Sequence, residues 1–344
     1  MRFSHLSALF FLVAGSHQCS HTEDLGHVFA KLPATAVGPK IPESGYFYEH
    51  LGDGTYWITD GSYQSMFVVS TEGVIVVDVP PTIGKNLLYA IGNVTDKPIT
   101  HLVYSHAHSD HIGAAAIVVN KHTEIIAHKD TLELLQLTPD PLRPFPTTTF
   151  RDNYDVVVGN QTLQLFYHGE NHYRGNIYIY AEDPKVLMLI DVVFPGWVPF
   201  SELAVSSNIP GWIQAHDIIL KYDFKHYIGG HLTRLGTKAD VLVQKEYIKD
   251  LFDNCKAAIE LTATADPVLG AQAILGAVGA LNPGNPWSQF KGYLDVVAEY
   301  CGNKTTEKWV GKLGAADVFS FENAYAMVER LRLDYNVLGP FKNI

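Results

Sequence analysis

Within residues 106–111 the chain reads His-Ala-His-Ser-Asp-His, so three imidazoles and a carboxylate fall inside six residues. No other stretch constrains the fold as hard. Imidazole nitrogen and carboxylate oxygen are the ligands that divalent zinc prefers. They converge on a cation only if the backbone beneath them is held. Ile99 to Tyr104 is an apolar run of strand length on one side. On the other, Ile112 to Val119, with Gly113 and three alanines, predicts a helix packed behind the loop. Histidines two apart at a strand end point to one side, which groups His106 with His108. Asp110 and His111 then fall at the helix entry, turned towards a neighbouring point. Four such groups crowd one metal at an open site and suit two metals close together. The chain holds 16 histidines, so a polar loop with chance histidines is the competing reading. It loses because partners for the loop recur downstream.

The N-terminus bounds the setting. Met1-Arg2, an apolar run from Leu6 to Ala14, and small or polar residues from Gly15 to Ser20 predict a secretory leader over residues 1–20. A buried N-terminal helix is the alternative. No later run is apolar enough to span a bilayer, so a soluble, secreted protein is expected. Asn93, Asn160 and Asn303 open Asn-x-Thr sequons that suit glycosylation on that route, a weak signal alone. Cys19 leaves with the leader or sits at the new terminus. Cys255 and Cys301 then remain as a pair, read as a disulfide, with two buried free thiols as the alternative. A net charge of −11 without a Lys/Arg cluster argues against a nucleic-acid or anionic-membrane partner. Nothing sets the oligomeric state.

Residues 21–44, with Pro33, Gly38, Pro39 and Pro42 and no periodicity, read as an irregular arm. Two hairpins follow, over 46–58 and 65–78, each with strand runs around turn residues. Asp78 closes an apolar strand, where a carboxylate is costly unless bonded. A helix is expected from Thr82, as N-cap, to Val94. A strand at 124–127, a helix at 130–137 and a proline-rich loop at 138–150 come next. Hairpins are expected over 154–167 and 177–190, a helix over 210–224 and a strand ending at Gly229-Gly230-His231. From Ala239 the pattern is helical.

His106-Ala-His108-Ser-Asp110-His111 resembles the HxHxDH signature of the metallo-β-lactamase-fold hydrolases. The resemblance spans roughly residues 45–240. It implies an α+β architecture, an αββα sandwich. The helical pieces over 241–344 lie beyond the resemblance and are read from their own pattern as an extension that either caps the pocket or mediates dimerisation. The resemblance also implies where the remaining ligands lie. His168-Gly-Glu-Asn-His172-Tyr-Arg-Gly175-Asn176 resembles the family's Gly-His-Thr-x-Gly-Asn stretch. The spacing to Gly175-Asn176 favours His172 as the ligand over His168, which orients a ligand or simply packs. Tyr173 stands where a small hydroxyl residue is usual. Asp191, at a strand end, matches the aspartate that bridges both metals, and His231 matches the last histidine. Asp78 matches the aspartate that supports the histidine loop from behind; a plain turn residue before Pro80 is the alternative.

The implied site has His106, His108 and His172 on one metal, Asp110, His111 and His231 on the other, and Asp191 shared. Zinc is the default, with manganese or iron tolerated by the carboxylates. A hydroxide held between the metals would attack a carbonyl, with the other metal, or a water relayed by Asp110, assisting the leaving group. Phe194, Trp197 and Phe200 are candidate pocket walls for a small neutral or apolar ester, lactone or β-lactam-like amide. Phe194 stands where lactonases of this family tend to carry tyrosine. A glyoxalase-type thioesterase should show a basic cluster, and none is found. A non-catalytic, metal-binding secreted protein is the alternative of a different class.

Overall fold

The computed structural model describes residues 28–342. The expected leader and Cys19 lie outside them. Seven strands form a first sheet in sequential order: β1 (Phe47–Gly52), β2 (Thr55–Thr59), β3 (Gln64–Val69), β4 (Val74–Val77), β5 (Ile99–Val103), β6 (Glu124–His128) and β7 (Thr148–Phe150). The pairings are antiparallel up to β4 and parallel from β4 to β7. A second sheet has β8 (Asn153–Val158), β9 (Gln161–Phe166), β10 (Tyr178–Ala181), β11 (Val186–Met188) and β12 (His226–Ile228), with β11 and β12 parallel. The helices are α1 (Asn86–Gly92), α2 (Ser109–Ile112), α3 (Lys129–Leu137), α4 (Ser201–Val205), α5 (Ile209–Ile219), α6 (Lys238–Leu261), α7 (Ala271–Leu281), α8 (Pro286–Trp309) and α9 (Ser320–Leu333). No helix among the described residues is long and apolar enough to cross a membrane.

Side-chain alternation sorts these elements into layers. In β4, Ile75 and Val77 meet Val103, Leu163, Ile179 and Ile190 between the sheets. Their neighbours Val74 and Val76 face outward onto Leu87, Ile91 and Leu135 of α1 and α3. On the outer face of the second sheet, Tyr178, Leu187 and Tyr227 pack against Trp212 of α5 and then against Ile248, Val297 and Met327 of α6, α8 and α9. The expected αββα sandwich is present. The C-terminal helices are not a separate body: they share a continuous core with α5 and complete the outer layer. The 240/241 boundary expected from the sequence falls within the first turn of α6, whose N-terminus is closed by a Thr237–Asp240 capping box. Cys255 of α6 and Cys301 of α8 form the expected disulfide.

Four local expectations differ from the structure. The helix expected over 112–119 is only the single turn α2 and a 3-10 turn at Ala115–Ile117. The Val79 N–H donates to the His111 carbonyl and the Ala114 N–H to the Val79 carbonyl, so the chain leaving β4 takes the bonds a longer helix would need. The helix expected from Thr82 starts at Asn86, without a side-chain cap. The proline-rich loop ends in β7. Of the sequons, Asn93 and Asn160 lie exposed beside turns, whereas Asn303 lies within α8 rather than in a loop.

One backbone segment is unusual. Glu202, Leu203, Ala204 and Val205 all have φ between 50 and 63°. That makes α4 a left-handed turn of four residues with side chains, each disfavoured by roughly 1–2 kcal/mol.

Candidate metal centre

Three parallel-paired strands, β5, β11 and β12, end at one edge of the sandwich, and their exits carry the ligand candidates. His106 and His108 follow β5, with Asp110 and His111 in the turn α2. Asp191 follows β11 and His231 follows β12. His172 lies in the β9–β10 connection.

Two groups form. His106, His108, His172 and Asp191 each offer a ligand atom, all within 4.8 Å of one another; Asp110, His111 and His231 do the same. Asp191 touches both. Its Oδ2 lies 3.6 Å from His106 Nε2, 3.2 Å from His172 Nε2 and 3.1 Å from His111 Nε2, and its Oδ1 lies 2.9 Å from His231 Nε2. Asp110 Oδ2 lies 3.5 Å from His111 Nε2 and 3.6 Å from His231 Nε2. The structure therefore gathers all seven ligand candidates, in the two sets expected, with Asp191 between them.

The donor chemistry fits divalent cations. His106 Nε2 is fully buried and makes no hydrogen bond, although it points at the cluster. Such a lone pair is costly unless a cation meets it. Burial first, and then the neighbouring imidazoles, hold His106 well below its usual pKa. Burial likewise lowers His172 to about 4 and depresses His108. These three rings are neutral at pH 7, the form that ligates. Burial also disfavours charge on His111, but the carboxylates of Asp191, Asp110 and Asp78 outweigh it and raise its pKa to about 9. Burial would raise Asp191; instead His111, His231 and His172 hold it well below the usual carboxylate range. A cation entering the second group thus displaces a proton from His111.

The supports come from elsewhere in the chain. Asp78, buried with φ 59°, accepts from the Ser105 N–H at 2.8 Å, and Ser105 Oγ lies 2.9 Å from His106 Nδ1. This leaves His106 Nε2 for the metal. Gly230 has φ +90°, and a Cβ there would stand 2.8 Å from Ile190 and 3.1 Å from His111, so only glycine lets the strand deliver His231 so close. Gln64 fixes the same loop: its Nε2 reaches the carbonyls of His231, Leu232 and Arg234. Arg143, in the proline-rich loop, donates to the Ala107 carbonyl between the paired histidines. That loop buttresses the ligands from behind and does not line the cleft.

His168 is not part of the centre. Its Nε2 pairs with the Tyr222 hydroxyl at 2.8 Å and its ring stacks on Phe166. It sits on the outer, helix-facing side of the second sheet, four residues before the chain turns in to the ligands, so it orients none of them.

A cavity of about 320 Å³ opens on the second group, lined by Tyr63, Asp110, His231, Phe194, Trp197, Val198, Phe200, Leu232, Ala315 and Phe319. All three aromatic residues expected in the pocket wall line it. Part of the wall comes from the connection between α8 and α9: the Val198 N–H donates to the Gly314 carbonyl, and the Gly314 N–H to the Gly196 carbonyl. A Cβ on Gly314 would stand 2.6 Å from the Trp197 ring. Tyr63 lies tilted against His231 with ring centroids 4.6 Å apart, and its hydroxyl donates to Asp110 Oδ2 at 3.3 Å. Burial, and then the Asp110 charge, push its pKa up to about 12, so it remains a donor at neutral pH. Tyr63, Gln64, Ala315 and Phe319 carry no motif and were not legible in the sequence. The only hint at the first two was a turn, Asp60-Gly61-Ser62, placed to return the chain beside the site.

A two-sheet sandwich with two metal-binding groups sharing one aspartate defines a class of metal-dependent hydrolase. Residues 58–244 match the family described as the metallo-beta-lactamase superfamily. The chain belongs to that superfamily. It is 27% identical over 221 residues to the 2,4-dinitroanisole O-demethylase subunit alpha of Nocardioides sp. (strain JS1661), covering 62% of this chain and 67% of that one. It is 26% identical over 201 residues to the human acyl-coenzyme A thioesterase MBLAC2, covering 46% of this chain and 72% of the relative. Among solved structures, a metallo-beta-lactamase from Pontibacter korlensis superposes with a TM-score of 0.51 at 18% identity, over 59% of this chain and 99% of that one. The metallo-beta-lactamase IND-7 gives 0.50 at 19% identity, over 58% and 98%. At such identity the likeness speaks for the fold.

Proposed function

We propose that this hydrolase cleaves the carbonyl bond of a small neutral, apolar ester, lactone or β-lactam-like amide, using two zinc ions. The observation that carries this reading is the cavity wall: apolar and aromatic side chains surround an opening onto Asp110 and His231, with no lysine or arginine among them. Two such ions would lower the pKa of water towards ~7 and polarise the carbonyl. The chain supplies the rest. Phe194, Phe200 and Phe319 exclude water and hold the acyl or aryl group. The Asp110 carboxylate, half-exposed at the cavity edge, carries a proton to the leaving group. Tyr63 presents a hydroxyl to the same cavity, a donor that Phe194 cannot be. The buried cysteine pair supports an oxidising, secretory setting.

A thioester is the second reading, favoured by the likeness to the human thioesterase. The lining offers no cation for a nucleotide phosphate, so a thioester of a small neutral thiol fits better. The test is a panel of ester, lactone, thioester and β-lactam substrates on protein loaded with zinc or manganese. Within the productive class, kcat/KM should rise about four-fold per added methylene, from ~0.8 kcal/mol of burial each, until the cavity fills. Fewer than two metals per chain with no turnover anywhere would refute the proposal and favour a non-catalytic metal-binding protein.

A further inference from the structure

We propose that Asn323, on α9 among the C-terminal helices, is a positioning residue for the metal ligand His172, acting through the left-handed turn α4 and the hydroxyl of Ser206. The inference rests on the proposed dinuclear site and adds a part of it that lies about 150 residues away in sequence.

The chain of contacts runs in one direction. His172 is 1% exposed, and its Nε2 faces Asp191 Oδ2 at 3.2 Å and His108 Nδ1 at 3.1 Å. Its other nitrogen, Nδ1, lies 3.3 Å from Ser206 Oγ. The Ser206 hydroxyl donates its single hydrogen to the Leu203 carbonyl at 2.7 Å, so towards His172 it has only a lone pair. Nδ1 must therefore carry the ring proton, and Nε2 keeps its lone pair for a cation. Where the family resemblance placed a small hydroxyl residue after the ligand, this chain has Tyr173; Ser206 brings a hydroxyl to His172 from another element. The main chain is gripped as well. The Ser207 N–H donates to the His172 carbonyl at 2.8 Å, while its hydroxyl is taken by Glu170 Oε1 at 2.8 Å.

Leu203 aims its carbonyl at Ser206 because it belongs to the left-handed turn, with φ and ψ both 55°. Residues with a Cβ do not hold that conformation unaided. Asn323 holds it from both sides. Its Oδ1 accepts from the Leu203 N–H at 2.7 Å, and its Nδ2 donates to the Pro199 carbonyl at 2.8 Å. Asn323 and Leu203 are both 0% exposed, so no water substitutes for these bonds. The amide that sets the turn also fixes the end of the aromatic loop containing Trp197.

The test uses the full-length protein and measures zinc affinity by chelator competition, with the cobalt(II) absorption spectrum as a second readout. Wild type should bind two ions. Ser206→Ala and Asn323→Ala should weaken one of the two sites 10–100-fold and shift its cobalt spectrum, leaving the other site unchanged. Ser206→Thr should restore wild-type binding. Asn323→Asp keeps the acceptor for Leu203 but not the donor to Pro199, and should fall between. If Asn323→Ala does not fold, Asn323→Asp carries the test. A folded Asn323 variant with wild-type affinity at both sites would overturn the inference, as would loss in Ser206→Ala alone. Wild type binding fewer than two ions would instead overturn the dinuclear reading, and this inference with it.

Discussion

Removing the Cys255–Cys301 disulfide should destabilise the whole sandwich, not only its last helices. The bond closes a sequence separation of 46 residues between α6 and α8. In the chain-entropy description a loop of that size stabilises the folded state by about 4 kcal/mol at 25 °C. The helices it joins share one core with the second sheet, so the loss should appear in the global transition. For a chain of this length the unfolding entropy is on the order of 0.7 kcal/mol/K, which makes the expected fall in Tm about 6 °C. Alanine is the right replacement, because both sulfurs are buried and serine would strand two hydroxyls. The assay is urea unfolding of wild type, Cys255→Ala and Cys255→Ala/Cys301→Ala, followed by far-ultraviolet circular dichroism. Single and double variants should lose the same amount, since the bridge goes with either cysteine. A loss below about 1 kcal/mol would refute the reasoning. So would two titratable thiols in denatured, unreduced wild type.

Three further outcomes are expected. Asp110→Ala should release the second metal and abolish most turnover with the melting curve of the apo-protein intact; full activity would show the ligand assignment to be wrong. Phe319→Ala should lengthen the preferred acyl chain, read as a shift in the kcat/KM optimum, because Phe319 lines the cavity. Asp78 carries a pH dependence. Burial, opposed in part by His111 and the Ser105 bonds, raises its folded pKa from 3.8 to about 6. Between those values the folded state holds a proton that the unfolded chain has lost, so stability falls as pH rises, by about 3 kcal/mol at ~1.4 kcal/mol per pH unit. Metal-free Asp78→Asn should lack that fall, while its amide oxygen still accepts from Ser105. Parallel urea midpoints for both proteins between pH 4 and 7 would contradict this.

The loop at 106–111 was legible from its own chemistry, because a cation takes imidazole and carboxylate and a strand end is where they can converge. His172, Asp191 and His231 were legible only through the family resemblance that matched them. Other features have no such local mark. The helix after His111 is cut short by Val79, a partner more than 30 residues away. The pocket wall joins Trp197 to Gly314 across more than 100 residues of chain. The left-handed turn has the sequence Glu-Leu-Ala-Val, which taken alone favours an ordinary helix, and the Asn323 amide that bonds to Leu203 comes from more than 100 residues away. His168 shows the converse error, in which proximity in sequence to a true motif suggested a role that the alternation of β9 and its exit denies.

The irregular arm ties two separate parts of the pocket together. The Ala30 N–H donates to Asp317 Oδ2, and the Ala36 carbonyl accepts from both Trp197 Nε1 and Thr233 Oγ1. Arg234 donates to the Thr35 carbonyl, while Thr35 itself donates to the Lys312 carbonyl. Seven residues of arm thus stitch the loop that follows His231 to the segment that builds part of the pocket wall. Trimming that stops before Ala30 leaves every one of these stitches in place. Trimming past Ala36 removes them together and leaves the indole N–H of Trp197 without its acceptor. The arm from Ala30 to Ala36 behaves as a belt across these two segments, and cutting it releases both at once.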